Sequence, residues 1–516
     1  MAGRAAQDPA WMLAIDRDGE QPVYQQIAAS IRNRIASGEL REGAKLPATR
    51  VLAAHLGLQR NTVVAAYRLL EHEGLLRSGV GAGSFVRLPG SRPRKAGAPI
   101  GDAEPFAWQR LLRDRQALES DPARWLSARH LPVPADPIRF AGLAPDHRLF
   151  PLEDFGRSVR AVLEKAGPEI LDYGPPEGDE RLRRWVLTRL EQVGVRGVGE
   201  ERVFIVSGSQ QGLDLLAKLF LAPGDAVALE APSYTGAFCA LRHSGARIET
   251  VPMEAEGLAL GALEALIARQ PVKFLYTMPC FQNPTGISLG PAQRGRLLEL
   301  ARRCQLAIVE DHYDSDLYYR GERPRPLLAD DPTGQVVHLG TFSKILFPGL
   351  RIGWLIVPAE LAEPLRQIRW ATDLASATLT QRVMEHFCRD GRLERHLQRI
   401  RRINARRLAA MLEALSEHFP RGARWTEPSG GMSLWVELPE GVDTVELFHQ
   451  AAARGVLFSP GIAFFPQGGG HNAMRLSFNR ESEERIREGL ALLGRMIAER
   501  LAAPPRNKPA VEGPLP

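Results

Sequence analysis

The N-terminal part of the chain, residues 20–88, carries a helical pattern of apolar positions. Isoleucine recurs at every fourth position from Ile27 to Ile35, which predicts an amphipathic helix with one apolar stripe. Two more helices are predicted over Thr49–Leu56 and 61–73, and a glycine follows each of them. Two short strands, LLR and SFVR, flank a glycine-rich turn. Three helices followed by a two-stranded wing predict a winged helix-turn-helix, which is a mainly α domain with a β-wing.

The longer part, residues 139–501, alternates short apolar runs with helical patterns such as PAQRGRLLELARRC. The apolar runs are RVFIVS (202–207), AVALE (226–230), KFLYTM (273–278), LAIVE (306–310), VVHLG (336–340) and IGWLIV (352–357). Strands that are apolar almost throughout are buried on both faces, so the alternation predicts an α/β domain with a mainly parallel sheet. Ligands of such sheets bind at the carboxyl ends of the strands, so the motifs that follow these runs are the candidates for a site.

Two stretches lack either pattern. Residues 89–138 are rich in Pro, Arg and Ala and hold one helical stretch, FAWQRLLRDRQALES, which predicts a linker between the two domains. Residues 502–516 have no apolar period, so a disordered tail is predicted there.

Composition narrows the class of protein. Apolar residues make up 44% of the chain and charged residues 24%, as in ordinary globular proteins. The four cysteines are scattered and have no CxxC spacing, so neither a disulfide framework nor a zinc site is predicted. No apolar run reaches the roughly 18 residues of a membrane span, and no signal peptide is recognisable. We therefore expect a cytoplasmic protein. The net charge of +6 is compatible with an anionic partner without requiring one.

The string LPATRVLAAHLGLQRNTVVAAYRLLEHEGLL in the first domain resembles the GntR family of bacterial regulators. The resemblance implies that operator DNA is contacted by Arg50, Arg60, Asn61, Thr62 and, in the wing, Gly81. The chemistry agrees, because backbone amides at a helix N-terminus attract phosphate, and Arg and Asn side chains pair with guanine and adenine edges. The alternative is a helix-turn-helix that contacts protein instead of DNA.

The chain departs from this family at two positions beside the recognition helix. Gln59 stands where the family often has a capping Ser or Thr, and glutamine is a weaker cap. Val64 stands where some relatives have a basic residue. The resemblance therefore leaves the individual base contacts open.

Six motifs occur in one order in the second domain, five of them at the ends of apolar runs and the sixth near the end of the domain. They are GSQQG (208–212), APSYTG with Tyr234, QNPTG (282–286), EDHYD (310–314), GTFSKILFPGLR (340–351) and MRLSF with Arg475. Together they resemble the fold-type I aminotransferases, which use pyridoxal 5'-phosphate. The resemblance implies a mainly parallel sheet with helices on both faces and a smaller C-terminal α/β subdomain.

The resemblance also gives each motif residue a role with a chemical reason. Lys344 is expected to form an imine with the cofactor aldehyde, and Asp311 to keep the pyridine nitrogen protonated so that the ring is an electron sink. The phosphate is expected to be held by Ser209, Gln210, Ser343 and Arg351, since helix amides and an arginine fork both bind anions. Asn283 and Tyr313 are expected to bond the ring oxygen, and Tyr234 to stack on the ring.

Two further residues concern the ligand and the assembly. Arg475 is expected to take a ligand carboxylate in a bidentate pair, with an internal salt bridge as the alternative. Tyr173, in DYGPPEGDERLR, resembles a tyrosine that reaches the cofactor phosphate of a neighbouring subunit. A homodimer follows from that resemblance.

The order of the two domains, the linker and the string FAGLAPDHRLFP (140–151) resemble the MocR/GabR regulators. The resemblance implies a DNA-binding transcription regulator that holds pyridoxal phosphate on Lys344 and senses an amino compound or the cofactor itself. It also implies a domain-swapped homodimer. Several such regulators lack the asparagine of the NPTG motif, whereas this chain has Asn283. An active aminotransferase that carries a DNA-binding module is therefore the alternative.

The arginine-rich stretch RDGRLERHLQRIRRINARR (389–407) admits two interpretations. It is either a solvated helix face or domain interface, which we favour, or a second patch that contacts DNA.

Overall fold

The computed structural model describes residues 15–16, 21–37, 39–79, 83–86 and 133–502. The chain divides into two compact units, residues 1–111 and 112–516. Most of the predicted linker, residues 89–132, and the tail from 503 onwards lie outside the described residues. Gly81 of the predicted DNA contacts lies outside them as well.

The first unit is a winged helix-turn-helix, as the sequence predicted. Its elements are helices α1 (Val23–Ala36), α2 (Thr49–Leu56) and α3 (Arg60–His72) and antiparallel strands β1 (Leu76–Gly79) and β2 (Gly83–Val86). Ile27 and Ile31 of α1 and Val63 of α3 are fully buried in a common core. Gly57 ends α2 with φ +63°, a left-handed conformation that glycine adopts without strain.

The second unit is built on one large twisted sheet. Its strands are β4 (Val203–Val206), β5 (Ala226–Ala231), β6 (Arg247–Glu254), β7 (Gly257–Leu258), β8 (Phe274–Thr277), β9 (Ala307–Asp311), β10 (Val336–Thr341) and β11 (Gly353–Ile356). Their spatial order is β4-β11-β10-β9-β8-β5-β6-β7. Neighbours from β10 through β6 pair in parallel, whereas β11 and β7 pair antiparallel. This confirms the mainly parallel sheet.

Helices cover both faces of this sheet. They are α4 (Leu152–Ala166), α5 (Glu180–Glu191), α6 (Ser209–Phe220), α7 (Thr235–His243), α8 (Leu260–Arg269), α9 (Pro291–Cys304), α10 (Ala359–Asp373) and α11 (Thr378–Cys388). Successive side chains of β4 point to opposite faces, so Ile205 joins the core under α5 while Phe204 joins the core under α6. Most residues of the central strands are apolar because both faces of the sheet are buried there.

A smaller subdomain follows the sheet. It holds helices α12 (Arg392–His418), α13 (Thr444–Ala453) and α14 (Glu483–Ala502) and strands β12 (Arg424–Trp425), β13 (Ser433–Glu437), β14 (Val456–Leu457), β15 (Ser459–Pro460) and β16 (Ala473–Ser477), with β3 (Ile138–Arg139) paired to β14. Four of these strands form a sheet in the order β12-β13-β16-β15. Phe140, the first residue of the string FAGLAPDHRLFP, is fully buried in the core of this subdomain.

The arginine-rich stretch opens α12, and several of its arginines hold the second unit together. Arg407 donates to Asp146 at 2.7 Å, and Arg406 to Glu483 at 3.0 Å. Arg401 donates to the Asp316 carbonyl at 2.6 Å. These contacts accord with the interface interpretation that the sequence favoured. Among the described residues, no helix is long and apolar enough to cross a membrane.

Candidate cofactor site and nucleic-acid interface

The motifs that follow the apolar strands meet at the carboxyl end of the large sheet. A cleft with about 480 Å³ of empty volume lies there. It is lined by Ser209, Gln210, Tyr234, Met278, Asn283, Asp311, Tyr313, Thr341, Ser343, Lys344 and Arg351. Apart from Tyr173, these include every residue to which the sequence analysis gave a cofactor role. Residues more than 140 positions apart thus converge because parallel strands end at one edge of the sheet.

Lys344 follows β10 and is held in the cleft by few polar contacts. Its Nζ donates to the Leu143 carbonyl at 3.3 Å. Burial lowers the pKa of Lys344 to about 8, and the nearby Arg475 acts in the same direction. A lowered pKa leaves a larger fraction of the amine neutral near physiological pH, and the neutral amine is the form that attacks a carbonyl carbon.

Asp311, the last residue of β9, presents a half-satisfied carboxylate. Its Oδ2 accepts a 2.7 Å hydrogen bond from the Tyr276 hydroxyl, whereas Oδ1 is buried and has no partner among the described residues. Burial raises the pKa of Asp311 to about 6. A buried carboxylate oxygen without a partner suits a positively charged N–H donor. Sequence reasoning missed Tyr276, because the second-last residue of an apolar strand resembles core.

The N-terminus of α6 forms the anion-binding corner of the cleft. Ser209 begins this helix, after Gly208 with φ +81°. From the opposite side, Arg351 Nη1 donates to Ser343 Oγ at 3.3 Å and Nη2 to the Ser207 carbonyl at 3.1 Å. Helix amides and a guanidinium that converge on one point make a site for a phosphate group.

Ser343 is itself fixed by Thr341, which the sequence analysis did not single out. Thr341 Oγ1 accepts from the Ser343 amide at 3.1 Å and bonds Ser343 Oγ at 3.0 Å. The motif GTFSK could have pointed to this role of Thr341, because its threonine ends the strand two residues before the serine. Tyr234, predicted to stack on a ring, lines the cleft and donates to Gln210 Oε1 at 3.4 Å.

Arg475 on β16 lies beside Asn283 of the QNPTG turn. Its Nη1 donates to Asn283 Oδ1 at 2.9 Å and its Nη2 to Ser459 Oγ at 3.1 Å, whereas Nε has no partner among the described residues. The residue is only 4% exposed, and burial lowers its pKa to about 10. No carboxylate of the described chain lies within 4.0 Å of this guanidinium, so the internal salt bridge considered from the sequence is not formed there.

Two residues with a predicted cofactor role, Tyr313 and Tyr173, are placed differently from what the sequence implied. Tyr313 lines the cleft, but its hydroxyl donates to the Phe281 carbonyl at 2.8 Å. Tyr173 does not line the cleft of its own chain, and 84% of its surface is exposed. Its predicted contact with a neighbouring subunit stays a prediction.

The predicted DNA contacts lie on the recognition helix and the helix before it. Arg50 is exposed on α2, and Arg60 and Asn61 are exposed in the first turn of α3, while Thr62 is half-buried. Neither Arg50 nor Arg60 forms an ion pair with another described residue. Gln59 occupies the N-cap of α3 without a side-chain hydrogen bond, so amides at the helix start keep their capacity to bind an anion.

Comparison with known proteins identifies both units. Residues 149–492 match the family described as aminotransferase class I and II, and residues 23–86 match the bacterial regulatory proteins of the gntR family. The chain belongs to the class I and II aminotransferase family. Its additional gntR domain gives it the architecture predicted from the resemblance to MocR/GabR regulators, which the relatives confirm.

Three relatives show the similarity, one over nearly the whole chain and two over the aminotransferase domain. The chain is 31% identical over 516 aligned residues to the probable rhizopine catabolism regulatory protein MocR of Rhizobium meliloti, covering 96% of this chain and 100% of that protein. It is 38% identical over 372 residues to aromatic-amino-acid aminotransferase 1 of Thermococcus litoralis, covering 71% and 89%. The crystal structure of LysN, an alpha-aminoadipate aminotransferase of Thermus thermophilus, matches with a TM-score of 0.70 and 37% identity, covering 77% and 100%.

Membership of the class I and II aminotransferase family implies pyridoxal phosphate as the cofactor, and the cleft fits it. The unpartnered Asp311 Oδ1 is the acceptor that a pyridinium N–H requires, and the α6 corner is the site that a phosphate requires. Lys344 is the amine of the same cleft. When bound, this cofactor supplies an aldehyde that bonds to amines and a ring that withdraws electrons.

Proposed function

We propose that this chain is a ligand-responsive transcription regulator, in which the aminotransferase-like domain senses an amino compound and the winged helix binds operator DNA. We propose that it works in the cytoplasm, where that DNA is accessible. The observation that carries the proposal is the union, in one chain, of a cleft lined by the predicted cofactor residues with exposed arginines on the recognition helix and the helix before it, which form no ion pair with other described residues. An enzyme that only turns over metabolites has no use for the second feature.

The roles of the individual residues follow their environments. Lys344 bonds the cofactor through its amine, and Asp311 bonds the ring nitrogen. The phosphate is held by Ser209, Gln210, Ser343 and Arg351, the ring oxygen by Asn283 and Tyr313, and the ring face by Tyr234. Arg50, Arg60, Asn61, Thr62 and Gly81 form the DNA-contacting set.

The effector carries an amine and a carboxylate. Only an amine exchanges with Lys344, because the bond to be replaced is a carbon–nitrogen bond. The carboxylate is supported by Arg475, a buried cation whose described partners, Asn283 and Ser459, are both neutral. A buried charge without a counter-ion is costly, so an anionic ligand at this position gains a full charge-assisted bond.

The functional unit is a homodimer in which Tyr173 reaches the cofactor phosphate of the partner subunit. Support comes from large apolar side chains that are exposed on the single chain. Leu152 is 67% exposed, Leu171 is 70% exposed and Trp370 is 61% exposed. We propose that these side chains lie in the subunit interface, where a partner chain would cover them. Within the dimer we propose a domain swap, in which the winged helix of one chain lies over the cofactor domain of the other.

A second function, amino-group transfer, is supported by Asn283 and by the identity to aminotransferases. Asn283 lines the cleft and is held by Arg475 at 2.9 Å, an arrangement that serves a reacting substrate as well as a resident effector. The regulator remains our proposal because the gntR domain and the MocR relative extend the likeness over the whole chain.

The test combines the two activities in one preparation. Purified full-length protein with its cofactor is incubated with a panel of amines, and both cofactor absorbance and binding to its own upstream DNA are recorded. We expect a carboxylated amine to change both signals. Amines that change absorbance without affecting DNA binding, together with fast steady-state formation of a keto product, would favour the enzyme instead.

A further inference from the structure

Arg369 on α10 is a cation that the fold encloses completely, with 0% of its surface exposed. Its Nε lies 2.8 Å from Asp373 Oδ1, and its Nη2 donates to Ser376 Oγ at 2.6 Å. Its Nη1 donates to Gln211 Oε1 at 2.8 Å. Gln211 belongs to α6, so this last contact connects the buried arginine with the helix whose N-terminus forms the anion-binding corner of the cleft.

Gln211 lies in the first turn of α6, and its side chain reaches back past the start of the helix. Its Oε1 accepts from the Ser207 amide at 2.6 Å. A glutamine at the third helical position that bonds an amide before the helix resembles half of a capping box. The N-cap itself is Gly208, which has no side chain to bond the amides of the first turn. Gln211 therefore fixes the start of α6 while leaving those amides to an anion.

The charged groups on α10 decide which way the Gln211 amide points. Arg369 can only donate hydrogen bonds, and the Asp373 carboxylate can only accept them. The amide accordingly turns its oxygen to Arg369 and donates from Nε2 to Asp373 Oδ2 at 2.6 Å. In this orientation the same oxygen is available to the Ser207 amide. Removing Arg369 removes one of the two groups that fix the orientation, and in the rotated amide two donors would face each other.

The Ser207 backbone is held from two sides and lies between this network and the anion-binding corner. Gln211 accepts from its N–H, and Arg351 Nη2 donates to its carbonyl at 3.1 Å. Arg351 is the guanidinium that faces the α6 N-terminus across the corner. The packing here is close, because a side chain at Gly208 would collide with Arg351. A shift of Ser207 would therefore move both groups that are expected to hold the phosphate.

We propose that Arg369 is a positioning residue for the phosphate of the cofactor, acting through Gln211 on the Ser207 backbone. Arg369 is not among the residues that line the cleft, so it acts without touching the cofactor. A corner that is held in its binding geometry before the anion arrives avoids the cost of ordering it on binding. The inference rests on the proposed function in one respect, the placement of the phosphate beside Arg351.

The first test titrates the full chain, freed of cofactor, with pyridoxal phosphate and with pyridoxal, which has the same ring and aldehyde without the phosphate. The ratio of the two affinities, measured by absorbance, gives the contribution of the phosphate. Arg369→Met should lower this ratio about tenfold, comparable to the smaller losses when an outer partner of a metal ligand is removed. An unchanged ratio, including an equal loss of affinity for both compounds, would overturn the proposal, because a residue that only supports the fold affects both alike.

Arg366→Met is the matched control on the same helix. Arg366 is half-buried and pairs with Glu177 and Glu363, neither of which belongs to the network. Its substitution should leave the ratio unchanged. If Arg369→Met does not fold, Arg369→Lys replaces it, because a lysine keeps the buried charge but lacks the fork that joins three partners. The same selective loss is expected. Failure of both variants to fold would overturn the proposal, since Arg369 would then serve the fold.

The second test is a double-mutant cycle that asks whether Arg369 acts through Gln211. Gln211→Met, which removes the amide at similar length, should lower the same ratio about tenfold. The double variant should lose no more than Gln211→Met alone, because the two residues belong to one chain of contacts. Losses that multiply would overturn the proposal, because they would show that Arg369 reaches the phosphate by another route.

Arg351→Met separates a failure of this inference from a failure of the proposed function. If Arg351→Met lowers the ratio whereas Arg369→Met does not, the phosphate lies where we propose and only the role of Arg369 is refuted. If Arg351→Met leaves the ratio unchanged, the proposed placement of the phosphate is wrong, and the inference falls with it. DNA and effector take no part in these measurements, so a failure of effector sensing would leave them unchanged.

Discussion

The two units of this chain place their arginines in opposite environments. Arg50 and Arg60 of the winged helix are exposed and have no ion-pair partner among the described residues. Arg475 of the cofactor domain is 4% exposed, and its pKa is lowered by burial. DNA presents a dense row of phosphates to an open surface, so exposed cations bind it without prior desolvation. A small ligand must be recognised inside a cleft, where a desolvated charge gives a stronger and more selective contact.

The difference has a thermodynamic consequence for regulation. Under the proposed function, an exposed arginine would contribute to DNA binding whether or not the cleft is occupied, so regulation by a ligand would have to act on the arrangement of the two units. A ligand shifts that arrangement only as far as it binds one arrangement better than another. Typical coupling of about 1–3 kcal/mol changes operator affinity by about 5–150-fold. Substitutions confined to one unit test this difference between the exposed arginines of the winged helix and the buried groups of the cofactor domain.

The largest effect is expected from Lys344→Ala. This variant should lose the whole visible band of the cofactor and all borohydride-reducible attachment, because Lys344 is the only lysine among the described residues that line the cleft. Fold and basal DNA binding should remain, since Lys344 lies outside the winged helix. Absorbance before and after reduction checks the first point, and a gel shift checks the second. Lys273→Ala, an exposed lysine paired with Asp225, is the control. A variant that keeps a reducible band would show that another amine holds the cofactor.

Arg475→Ala should weaken binding of a carboxylated amine by about 2–5 kcal/mol, the usual cost of removing one partner of a buried charge pair. The same amine without its carboxylate should bind wild type and variant equally. Titration by cofactor absorbance measures both affinities. An equal loss for the two amines would mean that Arg475 supports the cleft, through Asn283 and Ser459, instead of contacting the ligand.

These residues also show how far the sequence leads. The motifs located the cleft because they follow apolar strands of a parallel sheet, and strand ends must meet at one edge. Contacts between distant parts of the chain could not be predicted from the sequence. Arg475 and Asn283, for example, are 192 positions apart, and no local pattern links them. Tyr276, which bonds Asp311, was missed for a related reason. Whether a buried polar side chain is satisfied depends on all its neighbours, which only the packed structure supplies.

Arg60→Ala should weaken operator binding by about 1–3 kcal/mol, because an exposed arginine at the start of a recognition helix loses contacts to bases or phosphate. The cofactor spectrum should not change. Gel-shift titrations at fixed salt, on operator and random DNA, measure the loss and its specificity. Arg32→Ala is the control, because Arg32 on α1 already pairs with Glu73 at 2.6 Å. Unchanged affinity for both DNA molecules would remove Arg60 from the interface.

The smallest effect is expected from Gln59→Ser, which tests whether the recognition helix is left uncapped for its ligand. Gln59 has an extended backbone, with φ −69° and ψ 141°, and makes no side-chain cap bond. A serine there should accept from an amide of the first turn and stabilise α3 by about 1 kcal/mol, or roughly fivefold in hydrogen exchange. Ala48→Ser at the equally uncapped start of α2 is the control, expected to protect α2 alone. If the serine slows exchange in α3 and also weakens binding of DNA, the amides at the helix start take part in the contact, because the cap competes with phosphate for them. If exchange slows while affinity is unchanged, the side chains of Arg60 and Asn61 carry the contact and the helix amides do not.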